Sequence, residues 1–513
     1  MQEEANHTSG AAARAQADGE TTRAAGRGGL AIAGAKLAFI AFGFAQAIIL
    51  PRLVGTDGYG QAKIVLAIVS IVNNAIVAVS IQGMSRAVSS APKGREDEAF
   101  RTVLRVHVVL AMAVSLVFAL VAGTIADKVN IPHLSTPLRL TAAVVLLYGM
   151  YAPLVGNLNG RRRFVTQAAL DTGYGALRIV AMALGGILFL RAGASGVLGV
   201  FAGFVTAALI IFPIALWKTG LGREGDGGQS REAYLRFLVP LAGGQILLNM
   251  LMQTDSILLR YFTGRAESAD TLQGIYSGAQ QFSFLPYQLL MSVTFILFPM
   301  LARAQADGDR EAVRSYTISG VRLALLLTAL ISGTVSAIAP HLLRVVFPRE
   351  MWAGGDALRI LSLGMGAFSV LGITSAALTG LGRATDSALL TGTGVLLIAT
   401  ACWLILPRTA FGLPMLTAAA TATSVALTLT AIVGAIRLRA VAGGFVAPLT
   451  LIRALIALGV VVGLGTRLPW MGVVGTVVEA GGMFLLGLTV LIVLGEVGKQ
   501  DLARIKQVAG KKG

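Results

Sequence analysis

The sequence predicts an all-α integral membrane protein. It has fourteen transmembrane helices, arranged as two parallel six-helix repeat lobes around a central cavity, with two more helices at the C-terminus. Three observations carry this. The 513 residues are 55% hydrophobic and only 13% charged, with a mean hydropathy of +0.76, whereas a soluble domain carries about 25% charged residues. Apolar runs long enough to cross ~30 Å of hydrocarbon recur along almost the whole chain. They are continuous rather than alternating, so helices, not barrel strands, satisfy the backbone. The third observation is an internal repeat, set out below.

In chain order, residues 1–29 hold no apolar stretch and mix acids with arginine. That reads as a disordered cytoplasmic tail, not a signal peptide, which needs a basic start and an apolar middle. The expected spans follow at 30–50, 62–84, 105–126, 136–158, 167–190 and 194–217, which form an N-lobe (30–217). A cytoplasmic linker (218–235) leads to spans at 236–260, 273–299, 318–344, 356–380, 386–407 and 412–436, a C-lobe (236–437). Spans at 446–467 and 470–495 and a basic tail (496–513) complete the chain. With the N-terminus placed inside, 28 of the 42 Lys and Arg fall on inner segments and 9 on outer loops; the other 5 (Lys36, Lys63, Arg139, Arg178, Arg359) lie within spans. The positive-inside rule then puts both termini in the cytoplasm. Most of the net charge of +17 is topological, and no nucleic-acid partner is needed to explain it. Every outer loop is short, so the protein's work is expected within the membrane.

Residues 32–55, IAGAKLAFIAFGFAQAIILPRLVG, align without a gap on 241–264, LAGGQILLNMLMQTDSILLRYFTG, at an offset of 209. Gly34 meets Gly243, Lys36 meets Gln245, Gln46 meets Asp255 and Gly55 meets Gly264. RAVSSAPKGREDEAFRTVLR (86–105) resembles LARAQADGDREAVRSYTISGVR (301–322) at about 217, and GNLNGRRR (156–163) resembles LTGLGRAT (378–385) at 222. The unit spans six helices, an even number, so both copies enter from the same side. Repeated lobes around a central site are the architecture of alternating-access transporters.

PRLVGTDGYGQAKIVLAIVSIV (51–72) resembles the end of the first helix and start of the second in bacterial polysaccharide-transporter proteins. TDSILLRYFTG (254–264), followed by QGIYSGAQQFSFLPYQLLMSVTFILFPMLAR (273–303), resembles the matching seventh and eighth helices. Over roughly 30–437 the chain is similar to the oligosaccharide (O-antigen type) flippases of the multidrug/oligosaccharidyl-lipid/polysaccharide exporter superfamily. The resemblance implies a multi-pass protein of the bacterial cytoplasmic membrane. It would move undecaprenyl-diphosphate-linked oligosaccharide from the inner to the outer leaflet, for O-antigen, capsule or exopolysaccharide. It also implies a monomer among membrane lipids that works beside a polysaccharide polymerase and chain-length proteins. A lipid II flippase is the main alternative. A membrane-embedded polymerase fits less well, because it would need a large outer loop.

The resemblance makes spans 1, 2, 7 and 8 line the cavity, and their faces can be read at ~100° per residue. Gln245, Asn249, Gln253, Ser256 and Arg260 fall within about 80° of arc on span 7. Ser277, Gln280, Gln281, Phe284, Gln288, Ser292 and Phe295 fall within about 120° on span 8. Asn73 and Asn74 sit near the midpoint of span 2. Such stripes are expected to face water rather than lipid. A diphosphate or acidic sugar calls for cations. The candidates are Lys36, about 9 Å inside span 1, Arg52 and Arg260 at outer ends, and Arg86 and Arg303 at inner ends. Asp255 lies about 100° off the centre of its stripe, which suggests a gate or interhelical pair with Lys63 or Arg52, or a role in ion coupling; Gln46 is its repeat counterpart. Pro286 removes one backbone donor inside span 8 and is expected to kink it as a hinge. Gln167, Asp171 and Arg178 share a face of span 5, an expected acid–base brace. Glu479 in the last span has no evident task.

There is no GxxxxGK[ST] loop, so ATP hydrolysis in this chain is not expected. GTDGYG (55–60) is a turn, and His7, His107, His133 and His341 have no metal-ligand spacing. No cofactor or metal is expected, and transport is left to lipid supply and trapping, the membrane potential, or an H+ or Na+ gradient. The single cysteine, Cys402, rules out an intrachain disulfide.

Overall fold

A computed structural model describes the backbone of residues 2–225 and 230–498, and their side chains except those of 2–33, 36, 231, 292, 295 and 296. Residue 1, the side chains of the tail at 2–29 and of Lys36, Ser292 and Phe295, and the basic tail beyond 498 therefore lie outside the described residues. Among the described residues the regular structure is helical: α1 (Gln2–Ser89), α2 (Glu96–Lys128), α3 (Ser135–Gly160), α4 (Phe164–Arg191), α5 (Gly196–Thr219), α6 (Arg231–Thr263), α7 (Ala269–Ser283), α8 (Leu285–Ala306), α9 (Arg310–Ala337), α10 (Ala339–Val346), α11 (Gly355–Gly380), α12 (Ala384–Ile405), α13 (Leu413–Ala442), α14 (Pro448–Gly465) and α15 (Gly472–Val493).

Twelve of these elements are long and apolar enough to cross a membrane, against fourteen expected spans. Expected spans 1 and 2 run through one element, and the eighth contains side chains outside the described residues. The first of these elements, Leu37–Ser89, has 53 residues and would reach about 80 Å if straight; Gly55 breaks it with φ 75° and ψ 173°. The eighth expected span is divided at Phe284 between α7 and α8. Pro286 occupies the first turn of α8, where a proline's missing N–H is harmless.

The chain forms two compact units. The first comprises residues 1–49, 69–127 and 132–246. In it α5 packs on α3 and α4. A Cβ on Gly203 would lie 1.9 Å from the Ala181 carbonyl oxygen, so α4 and α5 meet backbone to backbone. The start of α6 is fastened here too. The Tyr234 hydroxyl is 2.6 Å from His107 Nε2, and Ser80 Oγ is 3.0 Å from His107 Nδ1. The linker folds back on α2, where Glu224 takes Arg101 at 2.7 Å and Arg105 at 3.0 Å.

The second unit comprises residues 50–68, 128–131 and 247–513. Here α11 is central, packed on α8, α9, α12 and α13. The C-terminal pair, α14 and α15, lies on α9, with Leu326, Leu330, Ala454, Ala457 and Leu491 between them. Each end of this pair carries a polar clamp. Glu496 accepts from Arg322 Nε (2.8 Å), Thr450 (2.9 Å) and Arg453 (3.0 Å). Burial alone would raise its carboxyl, but the hydrogen bonds from Arg322, Arg453 and Thr450 outweigh that and hold it below the usual carboxylate range. At the other end His341 Nδ1 lies 2.7 Å from Glu479 Oε2, tying α10 to α15. That is the task of Glu479 that the sequence leaves open.

The repeat is visible in the backbone of the two sequence halves. Gly55 and Gly264 both have positive φ, as do Gly94 and Gly308. After α3, the amides of Arg161, Arg162 and Arg163 bond to Asn157, Asn159 and Leu158. After α11, those of Leu381, Gly382 and Arg383 bond to Ala377, Thr379 and Leu378. The offset at this turn is therefore 220, not the 222 of the sequence alignment, and about 214 at Gly94, not 217. Loop residues, free to vary, misled both alignments.

Candidate functional site

The chemistry of the second unit centres on Asp255. Its carboxylate is 3% exposed and fully engaged. Oδ1 accepts from the Ser256 amide (2.7 Å) and Gln280 (3.1 Å); Oδ2 accepts from the Tyr276 hydroxyl (2.7 Å), Gln280 (3.1 Å) and Thr423 (3.3 Å). The side-chain donors come from α7 and α13, so one carboxylate of α6 joins three helices. Neither Lys63 nor Arg52 is among its partners, which corrects the expected pairing. Lys63 bonds to Gln281 (3.2 Å) with its ammonium 5.4 Å from the Tyr59 ring centre. Arg52 bonds to the Val346 carbonyl at 2.6 Å.

Beside Asp255 lies a small cleft with about 10 Å³ of free space, on the order of a single water molecule. Asp255, Gln280, Ser283 and Thr423 form its polar edge, and Phe284 and Phe368 its apolar wall. Phe284 is the residue at which α7 gives way to α8, so the helix break itself shapes the cleft. A carboxylate ringed by hydroxyl and amide groups at such an opening can exchange a proton or hold a small cation.

A second polar group surrounds the turn at Gly55. A Cβ on Gly60 would lie 1.9 Å from the Asp270 carbonyl oxygen, so the two backbones touch. Asp270 accepts from Gln61 at 2.8 Å and pairs with Arg260 at 3.1 Å. Arg260 also donates to the carbonyls of Gly264 (2.7 Å) and Asn130 (3.2 Å). Of the span 7 stripe, then, Arg260 serves this turn and Ser256 accepts from Gln273 at 2.6 Å. Asn249 is buried, while Gln245 and Gln253 are half-buried; Gln245 belongs to the first unit, the others to the second.

Of the remaining candidates, Asn73 is buried with Oδ1 unpartnered among the described residues, and Asn74 is exposed. Gln46 and Pro286 are buried and Gln288 is half-buried. Arg86 is exposed, its guanidinium 4.1 Å from the Phe237 ring centre. Arg303 is exposed, 3.8 Å from Asp307.

In the first unit, Tyr148 stacks on Tyr151 (5.3 Å between ring centres) and on Tyr174 (4.8 Å). The Tyr151 hydroxyl donates to Asp171 at 3.3 Å. The expected Asp171–Arg178 brace is absent among the described residues; Arg178 lies instead over the rings of Phe39 (5.5 Å) and Phe204 (5.8 Å). Tyr148 and Tyr151 of the cluster, Asp270 and the His107 hydrogen bonds escaped the sequence reading, which placed only Tyr174 on that face. Only the spacing of Tyr148 and Tyr151, one helical turn apart, signalled any of it.

A family model described as polysaccharide biosynthesis protein matches residues 49–353. The chain belongs to this family. The match takes in the Gly55 turn, the tyrosine cluster and Asp255 with three of its partner residues, Ser256, Tyr276 and Gln280. No individually curated protein matches the sequence. Among solved structures, the fold is similar to that of the lipid II flippase MurJ in an inward closed conformation, with a TM-score of 0.69 at 13% identity, covering 93% of this chain and 99% of that one. It is also similar to an inward-facing multidrug resistance MATE family transporter of the MOP superfamily, with a TM-score of 0.65 at 15% identity, covering 78% and 94%. A MOP superfamily transporter from Pyrococcus furiosus follows, with a TM-score of 0.58 at 15% identity, covering 80% and 95%. The family member described here is thus a multi-span membrane protein with the MOP transporter fold.

Proposed function

We propose that the protein flips an undecaprenyl-diphosphate-linked oligosaccharide from the inner to the outer leaflet of the bacterial cytoplasmic membrane, by alternating access and with both termini in the cytoplasm. The observation that carries this is a polysaccharide-biosynthesis family match on a fold shared with a lipid flippase. The sequence offers no nucleotide-binding loop, so an H+ or Na+ gradient or the membrane potential drives the cycle, with Asp255 as the coupling carboxylate. The glycan then passes to a polymerase and chain-length proteins on the outer side.

The second reading, lipid II as the substrate, is favoured by the 93% coverage of this chain by the MurJ structure. Purified protein in liposomes separates the two. Lipid-linked oligosaccharide added to one leaflet should become accessible in the other, faster than lipid II does. The reverse preference would favour the second reading, and transport of neither would sink both. In cells, a clean deletion should trap lipid-linked oligosaccharide on the cytoplasmic leaflet. Normal surface glycan in such a strain, with no paralogue present, would contradict the proposal.

A further inference from the structure

We propose that Arg178 is an oxyanion-binding residue of the first unit, taking a phosphate or carboxylate of the transported lipid; this rests on the flippase reading above. Arg178 is at the middle of α4, fourteen residues after Phe164 and thirteen before Arg191. It is about 20 Å from either end at ~1.5 Å per residue, beyond the reach of a snorkelling side chain. Something within the membrane must answer its charge.

What the protein supplies is two ring faces. The guanidinium carbon lies 5.5 Å from the Phe39 centroid and 5.8 Å from that of Phe204, on helices α1 and α5. Rings attract the face of the cation and leave its in-plane N–H fork available for bidentate oxyanion recognition. Among the described residues no oxygen takes up that fork: Arg178 has no recorded hydrogen bond or ion pair, and its Nε is buried without a partner. The carboxylate on the same helix face is engaged elsewhere, Asp171 accepting from Tyr151. One turn before Arg178, the Tyr174 hydroxyl is likewise buried and unpartnered. A planar cation positioned by aromatics, with a free hydroxyl donor beside it, suits a phosphate or carboxylate.

The test uses the full-length protein in lipid nanodiscs, probed with undecaprenyl diphosphate, undecaprenol and glucuronate. Wild type should prefer the diphosphate to the neutral alcohol at least tenfold. Arg178→Gln should lose most of that preference and Arg178→Lys should keep an intermediate part, while both remain monodisperse and bind undecaprenol as wild type does. Glucuronate that competes with the diphosphate in wild type but not in Arg178→Gln assigns the site to a sugar carboxylate; a failure to compete assigns it to the carrier phosphate. A wild-type preference retained in Arg178→Gln overturns this inference and leaves the flippase reading standing. Absence of any diphosphate binding by wild type overturns both. If Arg178→Gln does not fold, Arg178→Lys with the full wild-type preference, together with an unaffected Phe39→Leu, decides against the proposal.

Discussion

Asp255 and Arg178 are both ionisable side chains in apolar helices, and the protein treats them in opposite ways. Asp255 is saturated by the donors of Ser256, Tyr276, Gln280 and Thr423. Replacing it with alanine would leave two buried side-chain donors, Tyr276 and Thr423, and the half-buried Gln280 unmatched, a cost of about 2–3 kcal/mol. We expect Asp255→Ala to lower the thermal midpoint of the detergent-solubilised protein well below that of Asp255→Asn, which keeps the shape and one acceptor. Equal midpoints would count against the network. The helical wheel separated Asp255 from its polar stripe, and that much was legible in the sequence. Its partners were not, because charge complementarity pointed to Lys63 and Arg52 while the actual donors are neutral, one of them from α13. Arg162 offers a further residue-scale test. It holds φ 57°, a left-handed conformation costing about 1 kcal/mol for a residue with a Cβ, where the second unit has Gly382. Arg162→Gly should raise the midpoint slightly; a lowered midpoint would show that the side chain offsets the strain.

Among the elements, the segment between Leu50 and Ile68 is tightly constrained by shape. A side chain at Gly60 would collide with the backbone of α7 at Asp270, and neither helix can yield by rotating a side chain. Gly60→Val should therefore destabilise the folded protein by about 1–3 kcal/mol. It should also part the Gln61–Asp270 hydrogen bond, which differential solvent labelling at position 61 would detect. Wild-type labelling there would argue against the close contact. Helix positions were legible because each apolar run has the length of a bilayer. The splitting of the eighth span was not, since it depends on local backbone geometry at Phe284. Pro286 did mark the region of that break, because a missing amide is a property of the residue itself.

For the whole molecule, the C-terminal pair α14 and α15 belongs structurally to the second unit. The two clamps, Glu496 with Arg322, Arg453 and Thr450, and Glu479 with His341, bracket an apolar contact with α9. Because the Glu496 carboxyl is held below its ordinary range, its contribution is complete above the unfolded carboxylate's titration and is lost as pH falls through the lower folded value. Glu496→Gln should thus weaken the protein at neutral pH and flatten the acid limb of its stability profile; an unchanged acid limb would contradict this. Removing residues 448–513 should leave Arg322 and His341 without these partners and abolish recovery of monodisperse protein. Sequence alone disclosed the repeat and the two extra spans. It could not say what holds those spans, since Arg322 and His341 are each more than a hundred positions from Glu496 and Glu479. The lone Cys402 has a further consequence. It is buried in α12, so the described chain presents no accessible thiol to a maleimide. Cysteines placed singly along the Gly55 turn, or in pairs at positions 61 and 270, would then be the reporters that respond. The natural sequence can serve directly as the background for spin or fluorophore labelling, and the cycle proposed here can be followed one position at a time.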